Sequence, residues 1–330
     1  MSRNSFGMKL ILTIFFSCTV FVGLAQTTTS KKATYYCSPC GCELDNKILD
    51  SPGKCPRCNM RLIPTGSYNY ESPVVSNNGL LVYSSNKSKN TKKIFISSLH
   101  STNKSMSIGE GGLPQLSPNG SSILFERHDS IFVYDLKEKK SINLSNNIRL
   151  VKPQTPCWAA NGKEIYFAAG EFPSTGIYKL NLTSGNIDSI STSAGLRYAP
   201  ASSPDGKRIA YRCRIVRSEN DIQRGIAVYD LETNVEKFIT SIGEYCTWSP
   251  DGKQLAFHWP DSSDFCIYTV NRDGSGLKRI AFTRGSDNEL PTWSPDGKKI
   301  FFQTNRRRGN WEIWSMNVDG SDQKLVLADN

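Results

Sequence analysis

Two stretches decide the fold: Thr247–Phe257, TWSPDGKQLAF, and Thr292–Phe302, TWSPDGKKIFF. They are near copies of one another, 45 residues apart. A third copy, SSPDGKRIAY, lies at 202–211. Weaker ones are WAANGKEIYF at 158–167, LSPNGSSILF at 116–125 and VSNNGLLVYS at 75–84. Their turn glycines, Gly79, Gly120, Gly162, Gly206, Gly252 and Gly297, are spaced by 41, 42, 44, 46 and 45 residues. A period in the forties built from short strands is the sequence signature of a β-propeller.

Each unit parses into four strands. The first ends at Ser-Pro, and Asp-Gly or Asn-Gly makes a tight hairpin because glycine accepts positive φ without steric cost. An apolar second strand follows, such as Leu255-Ala256-Phe257. The third strands are IFVYD at 131–135, IYKLN at 177–181, IAVYD at 226–230, IYTVN at 267–271 and IWSMN at 313–317. A second turn, Asp273-Gly274 or Asp319-Gly320, leads to a fourth strand such as LKRIAF at 277–282. The strands are apolar on both faces, as stacked blades require and a sandwich does not. The expected fold is all-β: a six-bladed propeller with four antiparallel strands per blade, over residues 65–330, preceded by a small Cys-rich module.

The units W-S-P-D-G-K-x-I-x-F and I-Y-x-x-N-x-D-G-S resemble the WD40-like repeats of TolB, the propeller of the periplasmic Tol system. The likeness covers about four-fifths of the chain and lies in the repeat. Nothing here resembles the separate α/β domain of that family. The repeat specifies a fold and leaves function open, since propellers of this kind also serve serine peptidases and sugar lyases.

Strand alternation puts both Asp-Gly turns of every unit on one face. The other face carries the variable segments CRIVRSENDIQRG at 213–225, HWPDSSDF at 258–265 and TNRRRGNW at 304–311. Binding residues concentrate on variable segments held by a rigid scaffold, so this loop face is the expected working face.

Five of the ten cysteines fall within residues 37–58. Cys37-x2-Cys40 and Cys55-x2-Cys58 form two close pairs, a spacing that brings four thiolates around one tetrahedral ion. The segment YYCSPCGCELDNKILDSPGKCPRCNMRLIP resembles the small heavy-metal-binding domain of copper-efflux adaptors and heavy-metal transport ATPases. Tyr36, Cys37, Pro52-Gly53-Lys54-Cys55-Pro56, Cys58, Met60, Leu62 and Pro64 match that pattern. The family's Met-His pair is absent, and Ser38-Pro39-Cys40-Gly41-Cys42 stands there instead. A set rich in thiolate and free of imidazole selects one Zn²⁺ or Cu(I) ion. Cys37, Cys40, Cys55 and Cys58 are the expected ligands, with Cys42 and Met60 as substitutes. Disulfide pairing is the competing use in an oxidising compartment, and an odd number of clustered cysteines suits it poorly. Cys157, Cys213, Cys246 and Cys266 are expected to be buried core thiols.

Arg3 and Lys9 precede an apolar run of 16 residues, Leu10–Ala25, with Gly23 and Ala25 where a signal peptidase needs small residues. The expectation is a signal peptide at 1–25, a linker at 26–34, the metal module at 35–64 and the propeller at 65–330, in a periplasmic or secreted protein. The run falls short of the roughly 20 residues a spanning helix needs, so the mature chain is expected to have no transmembrane segment. The sequence around Cys18 is a poor match to a lipoprotein signal. Cleavage removes two of the chain's +10 charges, leaving +8, and the basic residues are scattered apart from Arg306-Arg307-Arg308, expected to be a solvated loop. That distribution argues against a nucleic-acid partner.

His100, His128 and His258 are the only histidines, expected at strand ends or on the surface. There is no H-E-x-x-H and no G-x-S-x-G. The sequence therefore favours a non-enzymatic binding protein with protein or cell-envelope partners over a lyase or hydrolase working at the loop face. A convergent group of His, Arg and carboxylates at the channel mouth would count toward the enzyme.

Overall fold

The structure, a computed structural model, describes residues 35–36, 48–51, 53–57, 62–64, 69–88, 91–171, 174–191, 195–218, 221–307 and 309–328. Residues 70–327 form six four-stranded antiparallel sheets, each made of four consecutive strands paired in sequence order. We number these sheets blades 1 to 6. Their inner strands are Tyr70–Val75, Gly112–Leu116, Gln154–Trp158, Leu196–Ser202, Glu244–Trp248 and Asn288–Trp293.

The Ser-Pro-Asp-Gly-Lys sequence owes its form to hydrogen bonding. The Ser294 hydroxyl donates to Asp296 Oδ1 at 2.7 Å and accepts the Lys299 N–H at 2.8 Å. The second Asp296 contact is the Lys298 N–H at 3.1 Å. Gly297 sits at φ +69. The same bonds recur around Ser249–Asp251 and Ser203–Asp205. Proline serves the neighbouring blade. A Cβ placed on Gly297 would lie 3.7 Å from Pro250, and one on Gly252 would lie 3.7 Å from Pro204, so these two turns stack on the proline of the blade before them.

A separate apolar cluster fills each interface between blades. Leu124, Trp158 and Phe167 join blades 2 and 3, and Ala210, Trp248 and Phe257 join blades 4 and 5. The ring closes without strand exchange. Tyr70, Leu81 and Phe95 of blade 1 pack on Phe301, Ile313 and Leu327 of blade 6. The seam adds Tyr70 N–H to the Trp311 carbonyl at 2.9 Å and Trp311 N–H to Asn69 Oδ1 at 3.1 Å.

The expected variable loops are partly strands. In blade 4 the second strand runs to Ser218 and the third starts at Asp221; in blade 5 the second strand ends at Asp261 and the third starts at Asp264. Those segments are therefore extended hairpins, because pairing continues as Ile215↔Gln223 and Trp259↔Cys266. Among the described residues of these segments, 305–307 and 309–311 are irregular. Arg306 is not solvated as expected. It donates to Asn288 Oδ1 at 2.8 Å and Gln323 Oε1 at 2.6 Å, with its guanidinium 4.5 Å from the Trp314 ring centre. Burial brings its pKa down to about 10.

The N-terminal segment contributes a small sheet in which Tyr35–Tyr36 pairs with Ile48–Leu49 on one side and Ile63–Pro64 on the other. Cys55 is buried beside Leu62, with Tyr35 and Leu49 packed against it.

Candidate functional site

One irregularity repeats around the ring and sets up the site. The pairing of every inner strand with the second strand skips, between Glu71 and Val74, Gly112 and Gln115, Gln154 and Cys157, Tyr198 and Ala201, Glu244 and Thr247, and Glu289 and Thr292. These are β-bulges, which re-aim side chains at functional rims. Each bulge holds one non-glycine residue at positive φ: Ser72, Leu113, Thr155, Ala199, Tyr245 and Leu290, between +46 and +52. Each lies seven residues before its turn glycine. Such a conformation costs on the order of 1 kcal/mol or more per residue and persists only where surroundings enforce it.

The bulges line the central channel. A cavity of about 180 Å³ is walled by residues of all six inner strands, among them Pro73, Leu113, Pro156, Pro200, Cys246 and Leu290. Five of the six blades place proline directly after the bulge residue, and blade 5 places Cys246 there.

Above this shaft, toward the loop face, the residue before each bulge forms a collar: Glu71, Gly112, Gln154, Tyr198, Glu244 and Glu289. A second set joins it from the second strands, six residues after each turn glycine: Ser85, Glu126, Ala168, Arg212, His258 and Gln303. Three of these fasten one blade to the next. Gln303 Oε1 accepts the Ser72 N–H at 2.9 Å, His258 Nδ1 accepts the Leu290 N–H at 3.3 Å, and Glu126 accepts the Thr155 N–H. Thr155 Oγ1 in turn accepts the Ala199 N–H at 2.9 Å.

Arg212 departs from this pattern, since a guanidinium has no acceptor to offer an N–H. It approaches Glu244 at 3.4 Å and lies over the rings of Tyr198 and Trp259. Tyr245 stacks on His258 with ring centres 5.8 Å apart and meets Tyr198 edge-on at 6.4 Å.

The electrostatics are those of crowded carboxylates. Burial, with the charges of Asp287, Glu71 and Glu244, pushes Glu289 up to about 8. Burial also raises Glu126, against the lowering effect of the Thr155 N–H. The Tyr245 phenol is raised by burial and then by Glu126, Tyr198, Glu244 and Glu289, groups from blades 2, 4, 5 and 6 that meet at the axis. Lys92 pairs with Glu71. Among the described residues no Lys or Arg ion pair reaches Glu126 or Glu289.

His258 corrects the sequence expectation. It lies within the strand Gln254–Asp261, only 4% exposed, because pairing runs on past Phe257. Burial lowers its pKa to about 3, so it is a neutral acceptor for the Leu290 N–H. His128 does follow a second strand and His100 a third, as expected. Cys157, Cys213, Cys246 and Cys266 are buried as expected, and burial pushes the first three thiols up to about 12.

Of the expected metal ligands the structure describes Cys55 alone; Cys37, Cys40, Cys42, Cys58 and Met60 lie outside the described residues, as does the expected signal peptide at 1–25. Among the described residues no three His, Cys, Asp or Glu side chains are grouped to hold a metal ion, and no helix is long and apolar enough to cross a membrane. The collar was missed in the sequence. Its signal was available: a proline six residues before the turn glycine in five repeats marks the bulge, and the residues flanking that register carry the site.

Known proteins place this geometry. The chain is 33% identical over 86 residues to the Tol-Pal system protein TolB of Francisella tularensis subsp. tularensis, a match over 26% of this chain and 19% of that relative's length. The solved TolB from Acinetobacter baumannii superposes with a TM-score of 0.59 at 19% identity, over 78% of this chain and 63% of that one. The β-propeller domain of the Trilobed protease from Pyrococcus furiosus, which has an open velcro topology, superposes with a TM-score of 0.55 at 14% identity, over 80% and 97%. At those identities the two structures speak for the fold alone. The family profile of the TolB beta propeller domain matches residues 48–245 and 225–330, and the chain belongs to that family.

Proposed function

We propose that this is an exported, non-enzymatic binding protein whose propeller presents its loop face and channel mouth to a protein or cell-envelope partner. The observation that carries this reading is the use to which the mouth puts its polar groups. His258 and Glu126, which would serve as acid–base groups in an enzyme, each hold a backbone N–H of the next blade. The imidazole has also lost its basicity to burial, and with it the capacity to shuttle protons near neutral pH.

A second reading, a lyase or hydrolase at the same face, draws on Glu289, whose raised pKa is of the kind catalytic carboxyls show. The sign of the charge counts against it for polyuronate substrates. Glu71, Glu126 and Glu244 line the mouth against two cations, Lys92 and Arg212, and Glu289 adds a further negative charge above about pH 8.

The N-terminal segment, in this proposal, holds one Zn²⁺ or Cu(I) ion through Cys37, Cys40, Cys55 and Cys58, with Cys42 and Met60 as substitutes. The donor set fits a soft ion, and the burial of Cys55 among apolar neighbours fits a dry thiolate site. Such an ion would supply the core that a segment of about 30 residues lacks.

The test is site-specific photo-crosslinking in the native envelope. Probes at Glu171 and Arg307, on the loop face, are expected to capture a partner. Probes at Lys207 and Lys298, on the turn face, are expected to capture none. Capture from the turn face alone would refute the assignment. Native mass spectrometry of the reduced protein is expected to show one bound ion, lost on Cys55→Ser/Cys58→Ser; full retention would remove the metal site from the proposal.

A further inference from the structure

In the long hairpin of blade 4 the second strand, Arg208–Ser218, and the third, Asp221–Asp230, pair in regular register from Arg208↔Asp230 to Val216↔Ile222. Side chains alternate between the faces of a strand, so Arg212, Arg214, Arg224 and Ile226 share one face. That face is turned to blade 5, because Ala210, Ile226 and Val228 pack there on Trp248 and Phe257. Arg214 stands directly opposite Arg224. In such a pair the Cβ atoms lie about 5 Å apart, and like charges destabilise the sheet. Arg214 is half-buried and Arg224 is exposed.

Charged residues that meet across strands elsewhere in the propeller are of opposite sign: Lys93↔Glu110, Asp135↔Lys140, Lys179↔Asp188 and Arg208↔Asp230. Among the described residues one other like-charged pair occurs, Asp261↔Asp264, and it is compensated. Asp261 pairs with Arg279, and Asp264 accepts the Gly285 N–H at 2.8 Å. Arg214 and Arg224 have no such relief, since among the described residues no carboxylate pairs with either. Arg212, two residues along the same face, approaches Glu244 at 3.4 Å, and its buried Nε–H has no acceptor. Setting Arg212 against Glu244 leaves Arg214 and Arg224 as two uncompensated positive charges.

We propose that Arg214 and Arg224 bind a phosphomonoester between their guanidinium groups, with Arg212 as a third positive charge beside them. Two facing guanidiniums match a group that carries a charge of about −2 near neutral pH and offers three acceptor oxygens, as a phosphomonoester does. A carboxylate supplies one charge and two oxygens, which a single arginine fork already engages. A phosphodiester supplies one charge. The paired strands hold the two arginines opposite one another before the ligand arrives, which lowers the ordering cost of capture. Trp259, whose ring lies 5.4 Å from the Arg212 guanidinium, borders this face from blade 5. The site goes beyond the partner reading above and does not depend on it.

The experiment is titration calorimetry of the full chain at low salt and about pH 7.5, above the second ionisation of a phosphomonoester. The probes are glucose 6-phosphate, dimethyl phosphate as a diester and succinate as a dicarboxylate. A parallel arm measures capture by phosphatidylcholine vesicles with and without phosphatidic acid, a lipid phosphomonoester. Glucose 6-phosphate is expected to bind about fivefold more tightly than either control, and to weaken as pH falls to about 5 and the ester loses its second charge. Arg214→Gln and Arg224→Gln are each expected to weaken binding about fivefold. Both are expected to melt no lower than the wild type, because each relieves the repulsion. Arg214→Lys, which keeps the charge and loses the fork, is expected to weaken binding as well. Capture by phosphatidic acid vesicles with weak binding of the soluble ester would place the phosphate on a lipid, and the reverse would place it on a soluble molecule; either outcome upholds the inference. It is overturned if neither form binds, if dimethyl phosphate or succinate binds as well as the ester, or if both glutamine variants bind like the wild type. A melting loss in the glutamine variants would make the arginines part of the fold and overturn it too. Crosslinks from the turn face alone would bring down the partner reading and leave this site standing.

Discussion

The two ends of the central channel are built on opposite rules. At the turn face blades 4, 5 and 6 do the same thing with the same residues: Ser294, Ser249 and Ser203 make matching bonds to Asp296, Asp251 and Asp205. At the loop face the blades share a backbone geometry and fill it differently. One register position carries Ser85, Glu126, Ala168, Arg212, His258 and Gln303 in turn. Repetition at one end maintains the ring, and variation at the other makes a surface with six distinct sectors. In a repeat protein the fold is read from what recurs, and the site from what breaks recurrence at a conserved geometric position.

The sharpest way to break this comparison is to remove a mouth residue that also fastens blades. His258→Ala deletes a buried ring and orphans the Leu290 N–H, and is expected to destabilise the propeller by about 2–4 kcal/mol. It also alters acid sensitivity. Because the folded pKa of His258, about 3, lies below its ordinary value of 6.5, its contribution is present above pH 6.5 and lost as pH falls toward 3. Chemical denaturation across that range is expected to show a shallower acid decline in the variant.

A turn-face deletion is expected to cost less. Ser294→Ala removes one hydroxyl that serves two bonds, worth about 1 kcal/mol, or about 2–4 °C in Tm. A loss as large as that of His258→Ala would show that the turns, rather than the inter-blade fasteners, limit stability.

Glu289→Gln is expected to move stability the other way. The folded pKa of Glu289, about 8, lies above the ordinary 4.5, so its stabilising contribution is complete below pH 4.5 and lost as pH rises through 8. The variant is expected to match the wild type at pH 4 and to melt a few degrees higher at pH 9, as followed by thermal scans. Equal melting at both pH values would show that the carboxylates are not crowded. Smallest of all, Lys298→Ala at an exposed turn is expected to stay within about 0.5 kcal/mol of the wild type.

The contrast also explains what the sequence disclosed. The blades, their turns and their third strands were legible because Asp-Gly turns and apolar runs repeat at a fixed period. The loop-face hairpins were not. Nothing in HWPDSSDF distinguishes an extended strand from a loop, and Pro260 argues against pairing that the structure nonetheless maintains with Phe265. Arg306 read as a surface charge because sequence neighbours do not reveal the Trp314 ring and the Asn288 acceptor that receive it. Most of the collar was illegible for a similar reason. Glu71, Glu126, Glu244 and Glu289 lie far apart in the chain, and only closure of the ring brings them to one axis.

The central claim is that the mouth's surplus charge serves a partner and not the fold. It is tested most directly in the double variant Glu126→Gln/Glu289→Gln, carrying the crosslinking probe at Arg307, with Tm and crosslink yield measured on the same preparation. The account predicts a Tm equal to or above that of the wild type and loss of the partner crosslink. An undiminished crosslink in a fully folded double variant would contradict it.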